Sequence, residues 1–463
     1  MRAGLLTDPV DGLDEALEAV DAFDGALVAG LLRSQAAEAA GPTRLADAVA
    51  GTPLAARVAE AAAKAAAGAA GEDHFLALAA ARTALLGSVH DALLARVEEA
   101  AGRARGAGTA PAVSAQPTTN LLTAARAWLS DLARCGWQGL DHEVVSGAAD
   151  VVSAMLPDPS LRRLATLIDG FAAELAASCP GASAERFPVR RWADLWSRGM
   201  LLTVPGAAGT PAVGTADGRL LPLGIDVQEH ATAAQAQVHA VFEPVDGSAP
   251  RLVRASVSVP KPDTVLGAGI WQLLRPHMSL LAAVGEGRSM DLTGMPVTAE
   301  GDLLWSDEHA RAGEPAEAFA TARVALPTAT APVTAPLDRH PARIAVPVFL
   351  EGYTARTDDD GHLTFTVAGT GLAVDTDRIP VAGPLTPEAV ARSGACIALI
   401  RWDAGAFVLQ PLAVETTVRK KAAPVHAGAW AGGTADKAGA RAEKAATDAA
   451  KVLSERAGRL LRK

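Results

Sequence analysis

The sequence of 463 residues holds one tyrosine, three cysteines and six methionines, and aromatic residues make up only 4% of it. Cys135, Cys179 and Cys396 are odd in number, widely spaced and free of any Cys-x-x-Cys. That excludes a disulfide framework and fits a reducing cytoplasm. Charged residues reach only 20%, the net charge is -10 and the sequence pI is about 5.5. Those totals exclude a protein that coats nucleic acid. Long apolar runs are also missing. Residues 199–216 are uncharged, but Pro205, Gly206, Gly209 and Pro211 break the stretch, so it reads as a loop and not as a span. Acidic residues begin at Asp8 and leave no room for an apolar signal core. The expectation is a soluble, cytoplasmic chain without a transmembrane segment. With 43 glycines and 29 prolines it is neither collagen-like nor of low complexity, and 49% hydrophobic residues suffice for a buried core.

What is present is alanine at helical spacing. Asp8-Pro9 and Thr52-Pro53 are helix-start signals. Leu78, Leu85, Val89, Leu93 and Val97 stripe a third helix over 73–103. These elements make residues 1–100 an alanine-rich helical domain, and residues 101–120, small and interrupted by Pro and Gly, a linker. Residues 121–203 read as a second helical domain, with a clean face of Leu161, Leu164, Ile168, Phe171 and Leu175. After Thr203 short apolar runs alternate with turns, as strands do. Residues 204–330 form a β module with one inserted helix, capped by Asp263 and kinked at Pro276. Its strands include RLLPLGIDV, QAQVHAVFEPV, RLVRASVSV and AFATARVALP. A second β module spans 343–418. The fold class is α+β and multidomain, with a helical N-terminal half, two small antiparallel barrels or sandwiches, and a C-terminal helix.

Residues 419–463 are read as a flexible basic connector followed by an amphipathic helix. They carry eleven basic and four acidic residues, a net of +7, so the rest of a chain of net charge -10 carries -17.

No motif assembles a catalytic site. The ten histidines include no His-x-x-x-His, and the cysteines lie too far apart for zinc. Asp358-Asp359-Asp360-Gly361 lacks the terminal Glu of a calcium loop and reads as a solvated turn. GAGTA and GTGLA lack the strand-to-helix setting of a phosphate loop, and no Gly-x-Ser-x-Gly occurs. Cys396, within ACIALI, reads as a buried small hydrophobe. The sequence therefore implies no cofactor, no metal and no catalytic residue.

Two features stand out as interaction candidates. Trp192 and Trp196 share a helix face beside Arg190, Arg191 and Arg198, either as an anchor at the helical-to-β junction or as an interface hot spot. The basic tail, with Lys420, Lys421, Arg456 and Arg459, suits a protein partner, the chain's own acidic body or nucleic acid.

Residues 121–167 resemble the helical region that accompanies the zinc finger in bacterial SWIM-type zinc-finger proteins. The resemblance rests on Trp128-Leu129, Asp131-Leu132 and Arg134-x-Gly136, then Leu161-Arg162-Arg163-Leu164. The family's metal motif, Cys-x-Cys followed by Cys-x-His, does not occur, so no zinc ligand carries over. The resemblance implies an accessory role, since such proteins are often encoded beside MoxR-type ATPases and von Willebrand A-domain proteins. The expected function is a non-enzymatic scaffold or adaptor working through protein–protein contacts. The alternative is a nucleic-acid-associated protein using an OB-like module and the basic tail.

Overall fold

The computed structural model describes the chain apart from residues 33–39, 105, 107–118, 209–212, 231, 263–264, 275–276, 419–420, 434–436 and 461–463. Most of the expected linker, Asp263, Pro276 and Lys420 thus lie outside the described residues.

The N-terminal half is helical: α1 (Leu13–Ala29), α2 (Ala40–Ala48), α3 (Ala55–Ala66), α4 (Glu72–Ala101), α5 (Asn120–Cys135), α6 (His142–Ser146), α7 (Ala148–Met155), α8 (Arg162–Ala177) and α9 (Val189–Leu202). Both expected helical domains contribute to one core. Phe23 and Leu27 of α1, Phe75 and Leu78 of α4, Leu129 of α5, Phe171 of α8 and Trp196 of α9 share a single buried core. The reason is visible where α1 and α5 end. Gly30 and Gly136 both hold positive φ and touch backbone to backbone, and the Leu31 amide donates to the Ala133 carbonyl at 2.8 Å. A Cβ on Gly136 would lie 2.2 Å from the Gly30 nitrogen. Gly136 sits at φ 68 and ψ 169, a region essentially closed to other residues, so Gly136→Ala should cost about 2–4 kcal/mol from backbone strain plus overpacking. Gly12→Ala, at φ +74 but in open space, is the control and should cost about 1 kcal/mol. Urea midpoints decide; equal losses at the two sites would refute the close-approach argument.

Helix α4 belongs to two cores. Phe75, Leu78 and Ala81 sit in the helical core, while Val89, Leu93, Val97 and Ala100 pack among the barrel residues. Its 30 residues span about 45 Å at ~1.5 Å per residue.

The first β module comprises β1 (Val213–Glu229), β2 (Ala233–Pro244), β3 (Arg251–Pro260), α10 (Ile270–Leu273), α11 (Met278–Glu286), β4 (Arg288–Thr298), β5 (Asp302–Leu303), β6 (Ala310–Pro315) and α12 (Ala318–Val324). The long β1 pairs with β4 through its first half and with β2 through its second; β3 pairs with β2, and in parallel with β5. With β4 paired to β5, the order closes as β1-β2-β3-β5-β4-β1. Ala216, Leu220, Val238, Ala255 and Met290 fill the interior. The segment AFATARVALP, expected as a strand, is instead α12. Its alternating alanines mimic period two, but Ala318, Phe319 and Ala322 form one helical face that packs against Leu221 and Leu223 outside the barrel.

The second module comprises β7 (Val346–Glu351), β8 (Thr354–Thr357), β9 (Leu363–Val367), β10 (Thr370–Val374), α13 (Pro387–Ala391), β11 (Ala395–Asp403), β12 (Ala406–Val418) and β13 (Lys421–His426). β7 and β8 are consecutive pieces of one bent strand. Its first piece pairs with β11 and its second with β9, while β10 runs parallel to β12. Counted so, the order is again 1-2-3-5-4-1, with a parallel pair between third and fifth strands and a helix between third and fourth. This is the connectivity of the OB barrel, present twice. GTGLA belongs to the β9–β10 hairpin, whose two-residue loop Ala368-Gly369 has positive φ at both positions. Asp358 accepts from the amides of Asp360 and His362, making the acidic cluster a turn between β8 and β9. Cys396 is fully buried, as its strand suggested.

The expected flexible connector after 418 is ordered in part. Lys421–His426 pairs with β12, Ala427 and Ala431 are buried, and Gly428 lies against Ile225 of β1. Small residues hide strand alternation in a sequence, yet they let this segment thread between barrel and helix. The last helix, α14 (Lys437–Leu460), packs against Gly267–Gly269 and α10. Among the described residues no helix is long and apolar enough to cross a membrane.

Candidate binding cleft

Strand alternation in the first barrel builds a polar outer face. On β2, Ala234, Ala236, Val238 and Ala240 point into the barrel, which turns Gln235, Gln237 and His239 outward. On β3, Val253, Ala255 and Val257 point in, and Arg254 and Ser256 point out. Register places His239 between Gly224 of β1 and Arg254 of β3, and Gln237 between Asp226 and Ser256. The Gln237 amide donates to the Ser256 hydroxyl at 2.9 Å. Arg254 holds Asp302 of β5 through two bonds of 2.8 and 3.0 Å.

Asp226 fastens the two barrels together. Its side chain is 4% exposed and accepts from Arg401 of β11 at 2.8 Å and from Gln410 of β12 at 2.7 Å. Arg401 also donates to Gln410. Gly224 permits this approach, because a Cβ there would lie 2.8 Å from the Cβ of Leu412.

This face floors a cleft of about 1150 Å³. Its walls are His90 and Leu94 of α4, Arg191 of α9, the 331–347 segment and residues 377–381 of the second barrel. The 331–347 segment is pinned by Asp338, which accepts from Arg198 and Arg343, each at 2.7 Å. Among the described residues five arginines and six carboxylates line the cleft, and no Phe, Tyr or Trp does. Two histidines in this region are held neutral. Burial pushes His239 down to about 3, opposed by Asp226 and reinforced by Arg254 and Arg401. Burial lowers His340, beside Asp194, to about 4.

The residues singled out from sequence go to different places. Trp192 and Trp196 are buried at 1% and 0% exposure. The Trp196 indole donates to the Leu129 carbonyl at 2.8 Å, and Trp192 meets Trp137 edge to face at 5.7 Å. They are anchors of the helical core, and neither indole face is open to a partner. Arg190 pairs with Asp21 at 2.6 Å, while Arg191 holds Glu174 and lines the cleft. Lys421 lies exposed on β13, and Arg456 and Arg459 lie exposed on α14. Sequence reasoning missed His239, Arg254, Asp226, Arg401 and Gln410. The period-two spacing of Gln235, Gln237 and His239 was a usable signal for the face. The Asp226–Arg401 bridge joins residues 175 apart and left none.

No protein-family model, curated protein or solved structure matches this chain.

Proposed function

We propose that the chain is a non-enzymatic scaffold or adaptor acting through protein–protein contacts, and that the interdomain cleft receives its partner. The carrying observation is the lining itself, which is wide, nearly balanced in charge and, among the described residues, without Phe, Tyr or Trp. At about 1150 Å³ it exceeds the roughly 300–1,000 Å³ of small-molecule pockets. Among the described residues no nucleophile is hydrogen-bonded to His239 Nε2. An accessory role of this kind also agrees with the resemblance of residues 121–167 to SWIM-type proteins.

The doubled OB connectivity and the basic tail favour a second reading, association with nucleic acid. Among the described residues no Phe, Tyr or Trp lines the cleft floor formed by the first barrel. In the second barrel, the outward positions of β8 and β9 are Thr354, Arg356, Thr364 and Thr366. One experiment separates the two. Tagged full-length protein, crosslinked in its native cells, should bring down a stoichiometric protein that survives nuclease and high salt. Recovery of nucleic acid instead, released steeply by salt and lost when 419–463 is deleted, would replace the scaffold reading with the second one.

A further inference from the structure

The cleft floor carries a polar group that the chain leaves unsatisfied. His239 is 1% exposed, lines the cleft, and its Nε2 has no hydrogen-bond partner. A buried polar atom without a partner costs about 1–3 kcal/mol, and a ligand able to bond it would recover that. The charged neighbours cannot satisfy it, because each is engaged elsewhere: Arg254 with Asp302, and Asp226 with Arg401 and Gln410. Beside it, Gln235 and Gln237 offer carboxamides two residues apart, about 7 Å along the strand. Neutral amides at that spacing match the donors and acceptors of an extended polypeptide, which recur on each side at the same two-residue repeat. They do not match a phosphate backbone, which needs unpaired cations, nor stacked bases or sugars, which need rings.

We propose that an extended, uncharged polar segment of a partner polypeptide lies along the outer face of β2 and β3 in this cleft, with His239 Nε2 bonded to it. The proposal rests on the scaffold reading above and names where and how the partner binds.

The test uses the full chain against a random displayed peptide library, with affinities of enriched peptides measured by fluorescence anisotropy. Ser256→Arg puts a bulky charge on an exposed position of the floor. Thr364→Arg makes the same change at an outward position of the second barrel. The expected result is enrichment of uncharged polar peptides whose affinity falls at least about tenfold in Ser256→Arg, and within about twofold of the original in Thr364→Arg. His239→Phe should weaken the same peptides, with the urea midpoint of each variant reporting the fold. Three outcomes overturn the proposal: no enriched peptide, enriched peptides indifferent to Ser256→Arg, or displacement by oligothymidylate. The scaffold reading fails separately. A cellular partner whose binding ignores Ser256→Arg sinks the cleft assignment and leaves the scaffold reading standing. Cleft-dependent peptides without any co-purifying cellular protein do the reverse.

Discussion

Replacing Arg82 with methionine is expected to destabilise the protein by about 3–5 kcal/mol, read as a lower urea midpoint. Arg82 and Asp24 are 2% and 1% exposed and share two bonds, Nε to Oδ1 at 2.6 Å and Nη2 to Oδ2 at 2.8 Å. The pair joins α4 to α1, and Nη1 lies 3.7 Å from Asp194 on α9. The loss is large because methionine fills most of the space and leaves a buried carboxylate without its counter-charge. Burial already raises the Asp24 carboxyl above its ordinary value, and Arg82 is the main opposing influence. Without Arg82 the carboxyl would take up a proton on folding. A group whose folded value is raised favours the fold below its unfolded value and loses that contribution as pH rises. The deficit of the variant should therefore shrink as pH is lowered. Adding Asp24→Leu should recover most of the loss, since an apolar pair of similar volume avoids the desolvation cost altogether. A double variant no more stable than Arg82→Met would refute this account.

Acidification is expected to weaken the fold by a few kcal/mol between pH 6.5 and about pH 4. His239 is held at about 3 and His340 at about 4, whereas both titrate near 6.5 in the unfolded chain. Within that window the unfolded chain binds more protons, so stability falls as pH falls. Each such site contributes at most about 1.4 kcal/mol per pH unit. His239 is the cleaner probe, because Asp226, Arg254 and Arg401, on three different strands, surround it and are themselves paired. His239→Gln should flatten the dependence of the urea midpoint on pH between pH 6 and about pH 4 relative to the parent chain. Identical slopes would mean that His239 is charged in the folded protein.

The legible parts of the fold are those where periodicity and side-chain size agree. The faces of α4 and α8, with Leu93 or Phe171 at their centres, stand out because large apolar residues recur at helical spacing. β11 is legible for a similar reason, as Ile397, Leu399 and Ile400 can only be buried. Alanine removes that contrast. It made α12 look like a strand and β13 look like a connector, since Ala alternation fits either period and buries little in both. The shared helical core was hidden because Gly30 and Gly136 announce turns, and only three dimensions reveal that the two turns meet. In the cleft, the polar side of β2 could be read from its alternation. The second barrel's contribution through Arg401 and Gln410, and the 331–347 wall, depend on docking between modules, which local pattern does not encode.

The double membership of α4 has a mechanical consequence. A rod of about 45 Å rooted at one end in the helical core and at the other in the barrel core cannot be melted from one side alone. Helical half and first barrel should then behave as a single cooperative unit. Amides in the middle of α4, near Leu86 and His90, should exchange with solvent only when the whole assembly opens, later than those of either flanking helix.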